Sequence, residues 1–458
     1  MLYRKFGRWS EAAAIISVLL TLSGPVVGAD NGTLTLRLDD GQPAQSQVQN
    51  TPGEPAGQPG KAIDVPASKS YLASKPDVKA ASAVVMDART GQMLYAKNPH
   101  TRRPNASTTK MMTAILIIEH CGMDDIMTAS KNVAQTPFTS IHLMPGEQIT
   151  ARDLLYGMMI RSANDAAVAA AEHIGGSVSK FSVMMNKKAK EIGCTDTHFV
   201  TPNGLYNPGH YSSAYDLSLI AMYGLNKYQL FNDVVNTRKY TLDSRTMNRK
   251  DIAVFAKSKF LKDYPGADGV KSGYIKQAGY CYVGSATRDG WRLVSTVLKS
   301  DNASRDTEII MDYAFSNYEP VDVAKASGVY TKVKVDGGAA GEVPVAPVKD
   351  LTVIVPKTGA RVTTQIETAS VAAPVVKGAK VGKLTAYVDG NPVQSVELRA
   401  VNDVEISFGR KALEFFKMCG IVVACLVVGG KYGTAFTKNT RRRRRRITSS
   451  LRSFNNYR

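Results

Sequence analysis

The chain has 458 residues, 44% of them hydrophobic and 21% charged, with a formal net charge of +19. At roughly 150 residues per domain this length supports about three structural segments and a sizeable core, which excludes a peptide hormone, a disulfide-stapled miniprotein and a multi-span membrane protein. Once it is located, the charge gives little support to a basic nucleic-acid groove: residues 1–29 carry a net +2 and residues 409–458 a net +12, leaving +5 for the long middle. Basic residues parked beside apolar runs at both ends form a membrane-targeting pattern, and no specific nucleic-acid partner is expected.

Residues 1–29 begin with Arg4, Lys5 and Arg8, continue through an apolar run and end on Val27 and Ala29, which stand at −3 and −1 of a cleavage site after Ala29. This segment is expected to be a signal peptide. Residues 30–77, rich in Pro, Gly, Gln and Ser, are expected to be a flexible spacer. Two short strand-like runs, 82–86 and 92–96, then flank Asp87-Ala88-Arg89-Thr90-Gly91 as a hairpin. Residues 108–121 are apolar on nearly every side, as in a helix buried within a larger domain. Further helices are expected at 151–160, 165–174 and 180–192 from their apolar registers. Runs 279–287 and 291–298 flank Asp289-Gly290, a strong hairpin signal. This order gives an α+β domain over 78–318, its sheet made from both ends of the segment with a helical cluster inserted between.

From 319 to 408 the chain changes to short alternating runs rich in Val, Lys, Thr, Gly and Pro, expected to form a small all-β domain. Residues 412–436 are expected to be a membrane anchor. Their uncharged apolar run of 418–430 rises only about 20 Å as helix, so spanning relies on Lys417 and Lys431 snorkelling and on flanking aromatics. Residues 437–458, with Arg441 to Arg446, would be a basic cytoplasmic tail, placing the body of the chain outside. The five cysteines show no C-x-x-C or even framework, and the six histidines no paired metal spacing, so buried thiols and no metal site or cofactor are expected.

The chemistry-bearing residues cluster in three stretches. Ser107-Thr108-Thr109-Lys110 opens the buried helix, where residues three apart share a face, so the Lys110 amine reaches the Ser107 hydroxyl. A lysine activates a serine only when neutral, a state favoured by burial and by a second cation nearby. Ser162-Ala163-Asn164 falls in the gap between two helices, where a hydroxyl and a carboxamide point into a cleft. Lys271-Ser272-Gly273 is expected just before the second hairpin and supplies a cation, a hydroxyl and a glycine that admits a substrate backbone. An isolated S-x-x-K is more often a helix cap with a solvated lysine. Three such elements in this order are the specific signal.

S-x-x-K, S-D-N and K-T-G in that order mark class A β-lactamases and penicillin-binding proteins. With Pro104-Asn105-Ala106 before Ser107, His198-Phe199-Val200-Thr201-Pro202-Asn203-Gly204-Leu205, His210-Tyr211-Ser212-Ser213-Ala214-Tyr215-Asp216-Leu217 and Gly269-Val270 before Lys271, the chain resembles the low-molecular-mass penicillin-binding proteins, the D-alanyl-D-alanine carboxypeptidases of serine peptidase family S11. The likeness covers about 80–407. It implies a β-lactamase/transpeptidase-like catalytic domain, no cofactor, peptidoglycan stem peptides as substrates and β-lactam antibiotics as acylating ligands. It also implies anchoring to the outer face of the bacterial cell membrane. By this resemblance Ser107 would be acylated and Lys110 its general base, while Ser162 and Asn164 would relay protons and orient the substrate. Lys271, Ser272, Gly273, Tyr274 and Arg305 would bind the substrate, with the N–H groups of Ser107 and Tyr274 as the oxyanion hole. Ala163 and Ser272 stand where that pattern has Asp and Thr. The alternatives are a β-lactamase, for which no E-x-x-L-N-like segment lies between the second and third stretches, and a non-catalytic peptidoglycan-binding scaffold.

Overall fold

A computed structural model describes residues 58–247, 253–368 and 371–454. The expected signal peptide and residues 30–57 of the expected spacer lie outside the described residues. At the heart of the α+β region is a five-stranded antiparallel sheet in the order Met93–Lys97, Ser82–Asp87, Trp291–Ser300, Gly279–Arg288, Ala267–Ile275. The N-terminal hairpin thus pairs with the C-terminal one, Leu293 opposite Asp87 and Leu298 opposite Ser82. Period-two alternation divides the sheet between two cores: Val84 and Met86 point to one layer of helices, Ala83 and Val85 to the other. The turn at Asp289 and Gly290 has φ of 50° and 76°, the left-handed pair a tight hairpin needs.

On one face lies the helical cluster. Its centre is Lys110–His120, in which Met111, Met112, Ile115, Leu116 and Ile117 are all fully buried. Around it pack Ala151–Ile160, Asn164–Gly175, Val178–Ile192, Ala214–Lys227 and Gln229–Asn236. The sequence places their ends: Thr150, Ser177 and Ser213 accept the N–H three residues on, and Gly176 and Gly193 close helices at φ of 71° and 97°. The helices at 214–227 and 229–236, unforeseen above, complete this layer. On the other face Ala303–Asn317 covers the sheet, capped by Asn302.

The chain then passes straight into Tyr318–Ala324, which pairs with Leu351–Pro356. These two strands pack on a six-stranded antiparallel sheet that includes Ala360–Thr368, Lys380–Val388 and Asn391–Ala400, around a core rich in valine. One edge strand of that sheet is Gln58–Val65, paired with Ala360–Thr368. Part of the stretch expected to be a spacer is therefore ordered structure. Its alternation is masked in sequence by Pro59 and Gly60, and the partner edge supplies the missing incentive. Arg89 and Gln92 of the first hairpin bond Thr352 Oγ1 and the Ile354 carbonyl, tying the two regions together.

Helix Phe408–Phe454 follows without a break, extending the expected apolar segment in both directions. The Ser407 N–H bonds the Gly337 carbonyl, and Arg410 reaches the Asp336 carbonyl, so the first turn is fastened to the β domain. Its portion Phe408–Lys431 has a mean hydropathy of 2.0 over its most apolar window and is not covered by the rest of the chain. At 1.5 Å per residue its 24 residues exceed the ~30 Å hydrocarbon core, longer than the 13-residue run alone. It is a candidate membrane anchor. Cys194 and Cys281 are buried thiols, whereas Cys425, on this helix, is exposed.

Candidate active site

Asn105, at the head of the short 3-10 turn Ala106–Thr109, donates through Nδ2 to the hydroxyls of Thr108 and Thr109. Those hydroxyls in turn bond the carbonyls of Asn105 and Ala106 at 2.6 and 2.8 Å. This brace holds Ala106 at φ +49°, an unusual setting for a residue with a Cβ, and raises Ser107 at the entrance to the buried helix.

Lys110 follows one turn later with no solvent exposure. Its Nζ lies 3.0 Å from Ser107 Oγ, 2.7 Å from Asn164 Oδ1 and 2.8 Å from the Asn203 carbonyl; as a neutral amine it gives its two protons to the last two, and its lone pair faces the Ser107 hydroxyl. Burial, and next the charge of Lys271, push its pKa well below the ordinary lysine value, against an opposing pull from Asp165. Burial brings Lys271, 4% exposed, down to about 7.

The second stretch lies where it was expected. Ser162 sits between two helices at φ +63°, and Asn164 opens the next helix with its carboxamide between Lys110 and the Pro137 carbonyl. The third lies just before the second hairpin, as expected, and is itself on a strand: Lys271, Ser272 and Gly273 lie within edge strand Ala267–Ile275, opposite Val283, Tyr282 and Cys281. Gly273 lies against the serine turn, where an added Cβ would sit 2.7 Å from the Ser107 nitrogen. Ser107, Ser162, Lys271, Ser272, Gly273 and Tyr274 line one cleft of about 630 Å³, with Lys110 and Asn164 behind it.

Arg305 is not brought into that lining. It stands in the first turn of Ala303–Asn317, pairs with Glu308 at 3.3 Å and is 66% exposed. Its neighbours Ala303 and Ser304 reach the cleft; its own side chain leaves toward solvent. Conversely, sequence reasoning did not single out the Asn203 carbonyl that receives Lys110, nor Gly204 at φ +81°, where a Cβ would fall 1.9 Å from the Ala106 oxygen. The Pro202-Asn203-Gly204 turn signature was the available signal. Among the described residues no cluster of His, Cys, Asp or Glu is arranged to hold a metal.

Residues 69–302 match the family model for the S11 peptidases, D-alanyl-D-alanine carboxypeptidase. The chain belongs to the S11 peptidase family. Residues 318–406 match the model for the C-terminal domain of penicillin-binding protein 5, so the S11 relationship extends through the β domain. Among curated S11 relatives, the D-alanyl-D-alanine carboxypeptidase DacF of Bacillus subtilis is 35% identical over 71% of this chain and 86% of its own length. DacA of Haemophilus influenzae is 29% identical over 72% and 86% respectively. The crystal structure of penicillin binding protein 5 from Haemophilus influenzae superposes with a TM-score of 0.65 at 28% identity, covering 73% of this chain and 99% of that one. The S11 fold, a β-lactamase/transpeptidase-like domain followed by an all-β domain, is thereby established for this chain.

Proposed function

We propose that this protein is a serine-type D-alanyl-D-alanine carboxypeptidase that removes the terminal D-alanine from peptidoglycan stem peptides, and that β-lactams acylate the same serine. The observation that carries the reading is the 3.0 Å hydrogen bond between Ser107 Oγ and an amine that is fully buried and favoured in its neutral form.

Neutral Lys110 takes the Ser107 proton as Oγ attacks the carbonyl carbon of the penultimate D-alanine. The N–H groups of Ser107 and Tyr274 stabilise the oxyanion that develops there. As the peptide C–N bond breaks, the proton passes from Lys110 through the Ser162 hydroxyl to the departing amine, and free D-alanine leaves. Water, deprotonated by Lys110, then attacks the acyl ester, releasing the shortened peptide and returning the proton to Ser107. Protonated Lys271 and the Ser272 hydroxyl bind the terminal carboxylate of the substrate, while Asn164 orients both Lys110 and the substrate amide. Arg305, directed into solvent, has no step in this scheme.

The body of the chain works outside the cytoplasm, attached through Phe408–Lys431, with the arginine-rich end on the cytoplasmic side; the apolar helix and the charge distribution support that orientation. Nothing favours a β-lactamase or a scaffold over this reading. Detergent-solubilised full-length protein treated with benzylpenicillin is expected to carry one adduct, mapped by mass spectrometry to Ser107, and to release D-alanine from a pentapeptide. Lys110→Ala is expected to slow both by at least about a hundredfold while the protein remains folded. An adduct on another residue, or none, refutes the assignment.

A further inference from the structure

The N–H of Ser107 and the C=O of Ala106 are two ends of one planar peptide unit and point to opposite sides of it. Whatever fixes that carbonyl therefore aims the N–H. The Ala106 carbonyl receives the Thr109 hydroxyl at 2.8 Å. A hydroxyl has a single proton to give; the Thr109 lone pairs accept from Asn105 Nδ2 at 2.9 Å and meet His210 Nε2 at 2.8 Å. The direction of this last bond is set on the far side of the ring. Nδ1 receives the backbone N–H groups of Val200 at 3.0 Å and Thr201 at 3.2 Å, so it carries no proton, and the proton of the neutral ring is on Nε2. The ring is 3% exposed, and burial holds its pKa down at about 4, consistent with a neutral imidazole. The same ring thereby steadies the turn that leads to Asn203, whose carbonyl takes the Lys110 amine.

We propose that His210 and Thr109 are positioning residues for the oxyanion hole: the Nε2–H of His210 turns the Thr109 hydroxyl so that its proton goes to the Ala106 carbonyl, and this aims the Ser107 N–H into the cleft. The proposal rests on the reading of Ser107 as the acylated nucleophile. It gives a role in catalysis to a histidine that contacts neither the substrate space nor the base.

The test measures, on solubilised full-length protein, the rate constant of acylation by benzylpenicillin separately from the preceding non-covalent dissociation constant. Thr109→Val keeps the shape and removes the hydroxyl. Because the donor is misaimed rather than deleted, acylation is expected to slow by about tenfold to a hundredfold, short of the loss on removing an oxyanion donor, with the non-covalent constant unchanged within about twofold. Thr109→Ser, which restores the hydroxyl, is expected within about threefold of the wild-type rate, and His210→Leu to be as slow as Thr109→Val. Where the valine variant does not fold, His210→Leu and Thr109→Ala carry the same measurement. Wild-type acylation at Ser107 together with an unimpaired Thr109→Val overturns this proposal alone, as does a serine variant as slow as the valine one. A wild type that is never acylated at Ser107 overturns the parent reading as well.

Discussion

Two lysines with lowered proton affinity serve opposite ends of the proposed reaction. Lys110 acts as base only after losing its proton, so acylation rises with pH through its depressed pKa. Lys271 binds a carboxylate only while protonated, so capture of peptide by the free enzyme falls as pH rises through about 7. A bell-shaped kcat/KM for a pentapeptide is expected, with its alkaline limb from Lys271. Lys271→Gln should abolish that limb. By removing a like charge it should also raise the Lys110 pKa and move the acid limb upward. pH profiles of both proteins check this, and an alkaline limb that survives in the variant contradicts it. At this scale the serine and its lysine were legible because three-residue spacing at a helix entrance is local geometry. The Asn203 carbonyl and the Thr109–His210 contact were not: a backbone oxygen has no sequence signature, and the partners lie about a hundred positions apart. Arg305 shows the reverse, a residue that motif similarity draws into the site and the helix turns outward.

Edge strand Ala267–Ile275 is the wall on which the cleft depends, and Gly273 is its point of contact with the serine turn. A Cβ there would meet Ser107 N at 2.7 Å, Ala106 Cβ at 3.0 Å and Thr108 N at 3.1 Å, all of them backbone or tightly braced. Gly273→Ala is therefore expected to push the strand and turn apart and slow penicillin acylation by about a hundredfold, the scale of losing one oxyanion donor. Circular dichroism should show an unchanged fold, since the displaced strand is outermost; wild-type acylation would contradict the contact. The neighbouring hairpin was legible through Asp289-Gly290, whose backbone needs few other residues accept. This strand was not, because Asp268, Gly269, Lys271, Ser272 and Gly273 have little strand preference and its burial does not alternate. Pairing with Gly279–Arg288, not local preference, makes it a strand. The helices at 214–227 and 229–236 similarly owe their place to the layer that Lys110–His120 creates.

The β domain is assembled from distant parts of the chain: Gln58–Val65, before the catalytic sheet, closes an edge formed by Ala360–Thr368. Deleting residues 58–65 exposes that edge, and an open edge invites pairing with other chains. The expected result is a lower melting temperature and faster aggregation, with penicillin acylation of the monomer retained; unchanged melting would show the strand to be dispensable. The division into an α+β region, an all-β region and an apolar helix was legible from composition because each has its own apolar period. The returning first strand was hidden, since nothing in eight residues identifies a partner three hundred positions later.

The fastening of Phe408–Phe454 to the β domain has a mechanical consequence. With Ser407 hydrogen-bonded to Gly337 and Arg410 to Asp336, there is no slack between the pedestal and the lipid-seeking rod. In the proposed setting the catalyst has no leash: stacked strands, rather than the statistics of a coil, set its stand-off. In that setting the enzyme would trim one stratum of the wall mesh, and diffusion in the plane of the bilayer, not swinging, would carry it from strand to strand.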